Sequence, residues 1–257
     1  MTHGDDAVLQ FSPLESARFG LRVYRASVDA IDADLIAGEI ERESVDVAIL
    51  RMPATATGAA DALARHGFAP ILADTQVVYG IGLETYRPVP ADDSIVLRPA
   101  TRADAALLDR MAREIFAGYE SHYHSNPLFA PDRILAGYAE WAARHVVADD
   151  GSAAWLVERD GNLVGFSCYR IDAGGTAIGV LNGVLPGARH RGVYRGMLGR
   201  MLTRFAEMGL SRFEIATQTH NVIVQRVWIA NGLTLRAEYH TLHVNVLRSR
   251  DAGSARH

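Results

Sequence analysis

From residue 180 to residue 197 the chain reads Val-Leu-Asn-Gly-Val-Leu-Pro-Gly-Ala-Arg-His-Arg-Gly-Val-Tyr-Arg-Gly-Met. An apolar run ends at a proline and small residues, and a basic, glycine-bearing turn follows. Met197, Leu198, Met201, Leu202 and Phe205 then recur at helical spacing, so the segment is read as strand, turn and helix start. The first peptide N–H groups of a helix have no partner inside it, and the helix dipole adds positive potential there. Such a turn suits a phosphate or pyrophosphate. No Asp or Glu occurs between Ala173 and Ala206, whereas Arg189, Arg191, Arg195, Arg200 and Arg204 do. In a chain of formal net charge −4, this local positive field favours a polyanionic ligand. The turn is neither a nucleotide P-loop, since no Gly-Lys-Ser/Thr follows, nor a dinucleotide fingerprint, since Gly-x-Gly-x-x-Gly is absent. Solvated arginines at a helix start are the plain alternative.

The surrounding elements follow from periodicity. Strands are expected at Leu21–Ala26, Val45–Arg51 and Thr75–Leu83, and helices at Val28–Arg42 and Thr57–His66. Residues 86–93, with two prolines and two acids, read as a linker. Beyond it come a strand at Ile95–Arg98 and a helix through Ala105–Ile115. An irregular stretch Gly118–Pro131 carries Tyr119, His122, Tyr123, His124 and Phe129. A helix at Asp132–Val147 leads to a hairpin, Trp155–Glu158 and Asn162–Arg170, joined by Asp160-Gly161. The remainder reads strand Ala177–Val184, the basic-turn helix to Met208, strand Phe213–Thr217, helix Asn221–Ala230 and strand Leu235–Leu247. Val45–Leu83 and Phe213–Val246 share the order strand, helix, glycine, strand, with Gly67 and Gly232 at matching places. The first is read as a truncated copy of the second that lacks the basic turn.

The 257 residues, 49% of them apolar, fit one large domain or two small ones with a proper core. Nearly balanced charge indicates no general nucleic-acid or membrane surface. The single Cys168 sits in an apolar strand pattern and excludes an internal disulfide and a cysteine zinc site. No metal ligand cluster is expected. Without a signal-peptide pattern or a long apolar run, a cytoplasmic location is the default. The tails Met1–Val8 and Arg248–His257 are polar and read as loose.

Val184-x-Pro186-x-x-Arg189-x-x-Gly192, followed by Thr219-His220-Asn221 and a helix ending Ala230-Asn231-Gly232, resembles the GNAT superfamily of acetyl-CoA-dependent N-acetyltransferases over roughly 94–247. The family loop is Arg/Gln-x-x-Gly-x-Gly/Ala. Arg189 and Gly192 match it, while Tyr194 occupies the small third position. The whole chain resembles two-unit members of the dTDP-fucosamine acetyltransferase type, which acetylate nucleotide-linked amino sugars. That likeness rests on Glu15-Ser16-Ala17-Arg18-Phe19-Gly20, on Asn126-Pro127-Leu128-Phe129-Ala130-Pro131-Asp132 with Tyr138 and Trp141, and on Ala216-Thr217-Gln218-Thr219-His220-Asn221. The resemblance implies an α/β (α+β) GNAT fold with a mixed, splayed central sheet over residues 91–248. A smaller degenerate GNAT-like unit would occupy residues 1–90, and a disordered tail residues 249–257.

By the same resemblance, the peptide N–H groups of His190, Arg191, Gly192, Val193, Tyr194 and Arg195, with Arg189, hold the CoA pyrophosphate. Backbone atoms of Leu181, Asn182, Gly183 and Val184 hold its pantetheine, and Asn221 touches the CoA arm or caps its helix. The family's tyrosine seven residues after that Asn serves the leaving thiolate, and here Trp228 stands in its place. Indole donates a hydrogen bond but no proton, so Tyr239 or Tyr194 is the candidate replacement. The base for the attacking amine is sought among histidines. His240 and His243 differ in strand parity, so only one faces a cleft, and His122 and His124 lie where the family binds acceptors. Tyr119, Phe129, Tyr138 and Trp141 are candidates to stack on an acceptor, although the helical spacing of Tyr138 and Trp141 also fits ordinary core packing, the preferred reading for that pair.

The expected function is acetyl transfer to the primary amine of a small molecule, an amino sugar foremost. Alternatives are an amino acid, polyamine or antibiotic acceptor, or a non-catalytic acyl-CoA-binding sensor. The last strand is expected to offer an edge for a homodimer.

Overall fold

The computed structural model describes residues 7–87, 94–148 and 150–246. Residues 88–93 of the expected linker, residues 1–6 and 248–257 of the expected loose tails, and the expected disordered tail 249–257 lie outside them. In chain order the elements are β1 (Gln10–Phe11), α1 (Pro13–Phe19), β2 (Val23–Ser27), α2 (Ala33–Arg42), β3 (Val47–Pro53), α3 (Ala59–Arg65) and β4 (Pro70–Gly82). β5 (Ile95–Pro99), α4 (Ala105–Ile115), α5 (Pro131–Arg144), β6 (Ser152–Arg159), β7 (Asn162–Ile171) and β8 (Thr176–Val184) follow. The last are α6 (Val193–Glu207), β9 (Arg212–Gln218), α7 (Val222–Ala230) and β10 (Thr234–Asn245). The described residues fold as two compact units, those within 1–75, 121–130 and 238–257, and those within 76–120 and 131–237.

In the first unit the strands run in the order β1-β2-β3-β10-β4. β2 and β3 are parallel, and β10 is antiparallel to β3 from Tyr239↔Pro53 to Asn245↔Val47. Alternation of side chains divides this sheet into unlike faces. Tyr24, Ala26, Ala48, Leu50, Met52, Leu242 and Val244 pack against Ile36 and Ile40 of α2 and Ala59 and Leu63 of α3. The registers Arg25↔Ile49, Ser27↔Arg51, His243↔Ile49 and Thr241↔Arg51 place charged and polar groups on the opposite face. There Phe129 packs on Phe19 (4.3 Å between ring centres) and on His243 (5.6 Å). Since β10 lies between β3 and β4, it is not the free edge expected for a homodimer. The strand is long enough to pair on both sides, which periodicity does not reveal. α2 starts at Ala33 rather than Val28 because the Asp32 carboxylate accepts the Leu35 N–H (3.0 Å) and caps the helix there.

The second unit runs β10-β4-β9-β8-β7-β6-β5. β4 is antiparallel to β9, β8 is parallel to β9, and β5 to β8 form antiparallel pairs. The hairpin turn holds Asp160 at φ 51° and Gly161 at φ 75°, the left-handed pair that matches strand twist. One face carries α6, whose Met197, Met201, Leu202 and Phe205 meet Trp155, Tyr169, Phe213 and Ile215. On the other, Leu108, Met111, Ala112 and Ile115 of α4 and Ala139 and Ala142 of α5 cover Phe166, Cys168 and Leu181. Burial pushes the Cys168 thiol far above its ordinary range, as befits a packing residue. α3 and α7 end alike. Gly67 (φ 82°) and Gly232 (φ 87°) are left-handed, with Phe68 N–H bonded to Leu63 C=O (3.4 Å) and Leu233 N–H to Trp228 C=O (3.1 Å).

Candidate cofactor and catalytic site

The site is built where β8 leaves its neighbour. On its β7 side the register passes from Tyr169↔Gly179 to Cys168↔Leu181, so Val180 is an extra residue that bends the strand. On its β9 side the pairing ends at Gly179↔Ile215, although β8 continues to Val184 and β9 to Gln218. From Leu181 to Val184 the peptide groups on that side have no ladder partner and face a widening gap. α4 packs closely on this part of β8. A Cβ on Gly183 would come within 2.3 Å of Ile115 Cγ2, so only glycine lets α4 approach. Ser167 Oγ donates to Asn182 Oδ1 (2.5 Å), fixing that amide.

After Val184 the chain makes a short 3-10 turn at Pro186–Ala188 and then takes up left-handed φ at His190 (62°) and Gly192 (74°). Gly192 is the N-cap of α6 and has no side chain to satisfy the helix start. The first helical bond runs from Gly196 N–H to Gly192 C=O (2.9 Å), so the N–H groups of Val193, Tyr194 and Arg195 precede the ladder. Alternating handedness with free N–H groups is an anion-binding nest. The Arg189 guanidinium does not point at this nest. Its Nη2 donates to Ile115 C=O (2.9 Å) at the end of α4 and its Nε to Val184 C=O (3.2 Å), lashing the turn to the helix. Arg159 Nη1 holds the turn from the other side through Arg191 C=O (2.9 Å).

Two aromatic groups meet beside the nest. Trp228 Nε1–H donates to the Tyr194 hydroxyl oxygen (3.1 Å), and Trp228 also packs edge-on to Tyr79 (5.5 Å). Desolvation pushes the Tyr194 phenol up to about 12, with the Trp228 hydrogen bond opposing it. Since indole accepts nothing, the Tyr194 O–H is left to donate elsewhere. Tyr79 O–H donates to Gln225 Oε1 (3.3 Å), and Gln225 Nε2 reaches Thr219 C=O (2.8 Å). Asn221 opens α7 without capping it by its side chain, whose Nδ2 donates instead to Thr217 Oγ1 (3.0 Å). Tyr119 O–H donates to Gln218 Oε1 at the end of β9.

The structure gathers Leu181–Val184, the turn 189–195, Asn221 and Trp228 in the second unit. Tyr119, Tyr138 and Trp141 lie there too, on one aromatic run with Phe116. Phe116 and Tyr138 are stacked at 5.1 Å, and Trp141 stays 44% exposed at the end of the run. His122, His124, Phe129, Tyr239, His240 and His243 belong to the first unit. There Leu128 N–H donates to Asn126 Oδ1 (3.1 Å), which turns Asn126 Nδ2 toward His243 Nδ1 (3.2 Å). His243 Nδ1 is thus an acceptor, its Nε2 carries the proton, and that proton goes to His122 Nδ1 (2.8 Å). Neither contact leaves a lone pair free at these atoms, and burial holds both rings neutral, His243 down to about 3 and His122 well below the ordinary value. His124 Nδ1 accepts the Ser121 N–H (3.1 Å), and His240 Nδ1 meets Thr75 Oγ1 (2.9 Å). Tyr239 pairs across from Pro53 and is half-buried. Sequence reasoning missed the anchoring role of Arg189 and the Tyr119–Gln218 and Tyr79–Gln225 bonds. The polar residues Gln218 and Gln225, flanking Asn221, were the available signal.

Residues 111–232 match the family model described as the Acetyltransferase (GNAT) family. The family's acyl donor is acetyl-CoA. No curated protein matches the chain. Among solved structures it is similar to a GCN5-related N-acetyltransferase from Kribbella flavida, with 13% identity over 88% of this chain and 82% of that one (TM-score 0.59). It is also similar to a tandem GNAT protein from the clavulanic acid biosynthesis pathway, with 15% identity over 90% of this chain and 77% of that one (TM-score 0.54). For a GCN5-related N-acetyltransferase from Sphaerobacter thermophilus the identity is 16% over 77% of this chain, which spans only 59% of that protein (TM-score 0.53). These likenesses establish an α/β GNAT fold with a mixed, splayed sheet. Among the described residues, no helix is long and apolar enough to cross a membrane, and no cluster of three or more His, Cys, Asp or Glu side chains is placed to hold a metal ion.

Proposed function

We propose that this chain transfers the acetyl group of acetyl-CoA to the primary amine of a small molecule, and that the acceptor is an amino sugar carried on a nucleotide. The observation that carries the first part is the parting of β8 from β9 after Gly179 and Ile215 beside the unspent N–H groups of α6. A diphosphate fits a left-handed turn with no side chain at Gly192, and an amide-bearing arm fits the unpaired peptide edge of Leu181–Val184. Residues 91–248 act as the catalytic domain in this reading and residues 1–90 as its degenerate copy.

Acetyl-CoA, when bound, supplies an activated thioester. The N–H groups of Val193, Tyr194 and Arg195 would neutralise its diphosphate, and Arg189 would keep the turn in place through α4. The acceptor nitrogen forms its new bond to the acetyl carbon as the carbon–sulfur bond breaks and the electron pair leaves on sulfur. Trp228 has no proton to give. Tyr194, held through its oxygen by Trp228, presents an O–H. Full transfer of that proton to an ordinary thiolate, with a thiol pKa near ~8.5, would run uphill by roughly 5 kcal/mol. Tyr194 therefore acts as a hydrogen-bond donor to the leaving sulfur, a contribution of about 1.5–3 kcal/mol. The acceptor nitrogen sheds a proton to water, and the departing thiolate takes one back to become the free thiol.

The amino-sugar reading is supported by the partly exposed Trp141 and the aromatic run behind it, a surface on which a sugar or base ring can stack. The test is free-thiol release from acetyl-CoA with a panel of amines that includes dTDP- and UDP-amino sugars. Release with the nucleotide sugars alone supports the whole reading. Release only with simple amines removes the sugar, and tight acetyl-CoA binding without release from any amine makes the chain a sensor.

A further inference from the structure

On the face of the first unit's sheet turned away from α2 and α3, a row of charge has no part in acetyl transfer as derived above. Ser27, Arg51 and Thr241 occupy registered positions across β2, β3 and β10. Asp74 continues the row on β4. Its neighbour Thr75 meets His240 on the opposite face (2.9 Å), so alternation puts Asp74 on the face of Thr241. Arg51 lies within electrostatic reach of Arg25, Asp74, Tyr123 and Glu15.

Five polar atoms here are shut off from water and have no hydrogen-bond partner: Glu15 Oε2, Arg51 Nε, Asp74 Oδ1 and Oδ2, and Thr241 Oγ1. Glu15 and Thr241 are almost wholly buried, at 4% and 0% exposure for the residue. An orphaned buried polar group costs about 1–3 kcal/mol, and more when charged, so native cores avoid such clusters unless something fills them. The missing partner can be described. Arg25 is already spent on Glu15 Oε1 (3.1 Å), which Tyr123 also engages. One cation, Arg51, and one anion, Asp74, are left over. They feel each other's charge without a hydrogen bond between them, so a ligand with a single charge would bond one and leave the other's polar atoms without a partner. The atoms wanting partners are three carboxylate acceptors, one guanidinium donor and one hydroxyl that can do either, so the ligand must be rich in donors and also carry an acid.

We propose that this row binds a small zwitterion, an amino acid. Its ammonium group donates its three N–H bonds among Asp74, Thr241 and Glu15, and its carboxylate receives Arg51. This site stands apart from the acetyl-transfer reading and is tested without it.

The experiment is calorimetric titration of the full chain with α-, β- and γ-amino acids, and with the amine and the carboxylic acid that each leaves when one charge is removed. At least one amino-acid class binds and raises the unfolding temperature, while its singly charged analogues do not. Asp74→Asn and Arg51→Gln each weaken that binding roughly 10- to 150-fold, the equivalent of a lost hydrogen bond to a charged group, and leave acetyl-CoA binding as it is. Absence of binding by every amino acid to the unmodified chain overturns the proposal. So does equal binding by singly charged analogues, or an affinity unchanged in Asp74→Asn. Thiol release from acetyl-CoA reports on the other reading separately.

Discussion

Trp228 and Tyr194 share one hydrogen bond, indole N–H to phenol oxygen at 3.1 Å. The resemblance places a tyrosine where Trp228 stands and a small residue where Tyr194 stands. In the proposed reaction the start of α6 supplies the hydroxyl and the indole of α7 aims it. Tyr194→Phe should therefore lower kcat about 10- to 150-fold, the worth of a hydrogen bond to a developing charge, while KM for acetyl-CoA changes little. Steady-state kinetics with any accepted amine measure the split. A fall in kcat/KM carried wholly by KM would show that Tyr194 only covers the cofactor.

Gly192→Ala separates conformation from packing. A Cβ there meets nothing within 4 Å, but φ is 74°. The variant should lose about 1–2 kcal/mol of stability from left-handed strain, or else let the turn relax and lose the nest. Equilibrium unfolding and acetyl-CoA titration, taken together, should show both terms, with weaker acetyl-CoA binding in either case.

Arg189→Lys should raise KM for acetyl-CoA, even though the guanidinium reaches carbonyls rather than the nest. A single ammonium cannot repeat the fork that grips Ile115 C=O and Val184 C=O together. Hydrogen exchange at the amides of residues 187–196 should accelerate in the variant. Unchanged exchange would show that the lashing is dispensable.

The buried pair His122 and His243 makes the first unit acid-sensitive. Both rings have folded-state affinities for protons below those of the unfolded chain, His243 down to about 3 against 6.5. The unfolded state therefore binds more protons in this window, and stability is present above about pH 6.5 and lost progressively as pH falls toward 3. Urea unfolding between pH 7.5 and 4.5 measures the slope, and His243→Gln should flatten it. A slope identical in the variant would assign the effect to other groups.

Much of the fold was legible because hydrophobic periodicity is local. The basic turn, the Asp160-Gly161 hairpin and the glycine ends of α3 and α7 were read from neighbouring residues alone, and each is where it was expected. α1 and β1 were missed, since seven and two residues carry too little periodicity. The gap between β8 and β9 was expected only through the resemblance, because a bulge at Val180 leaves no compositional mark. The bonds that organise the site, Trp228 with Tyr194 and Arg189 with Ile115, join residues 34 and 74 positions apart and could not be seen in sequence. Reading Asn221 as a helix cap had sound propensity behind it, yet Thr217 took the amide.

The pairing of β10 with β3 has a consequence for how the polypeptide is made. Residues 47–53 wait for residues 239–245 before their sheet is complete. During translation most of the N-terminal unit emerges early and then remains without a central strand until residues 239–245 have been made. Such distant closure slows assembly. A ribosome stalled before codon 238 would hold a nascent chain whose first core is still unsealed, and that interval is when chaperones have the most to protect.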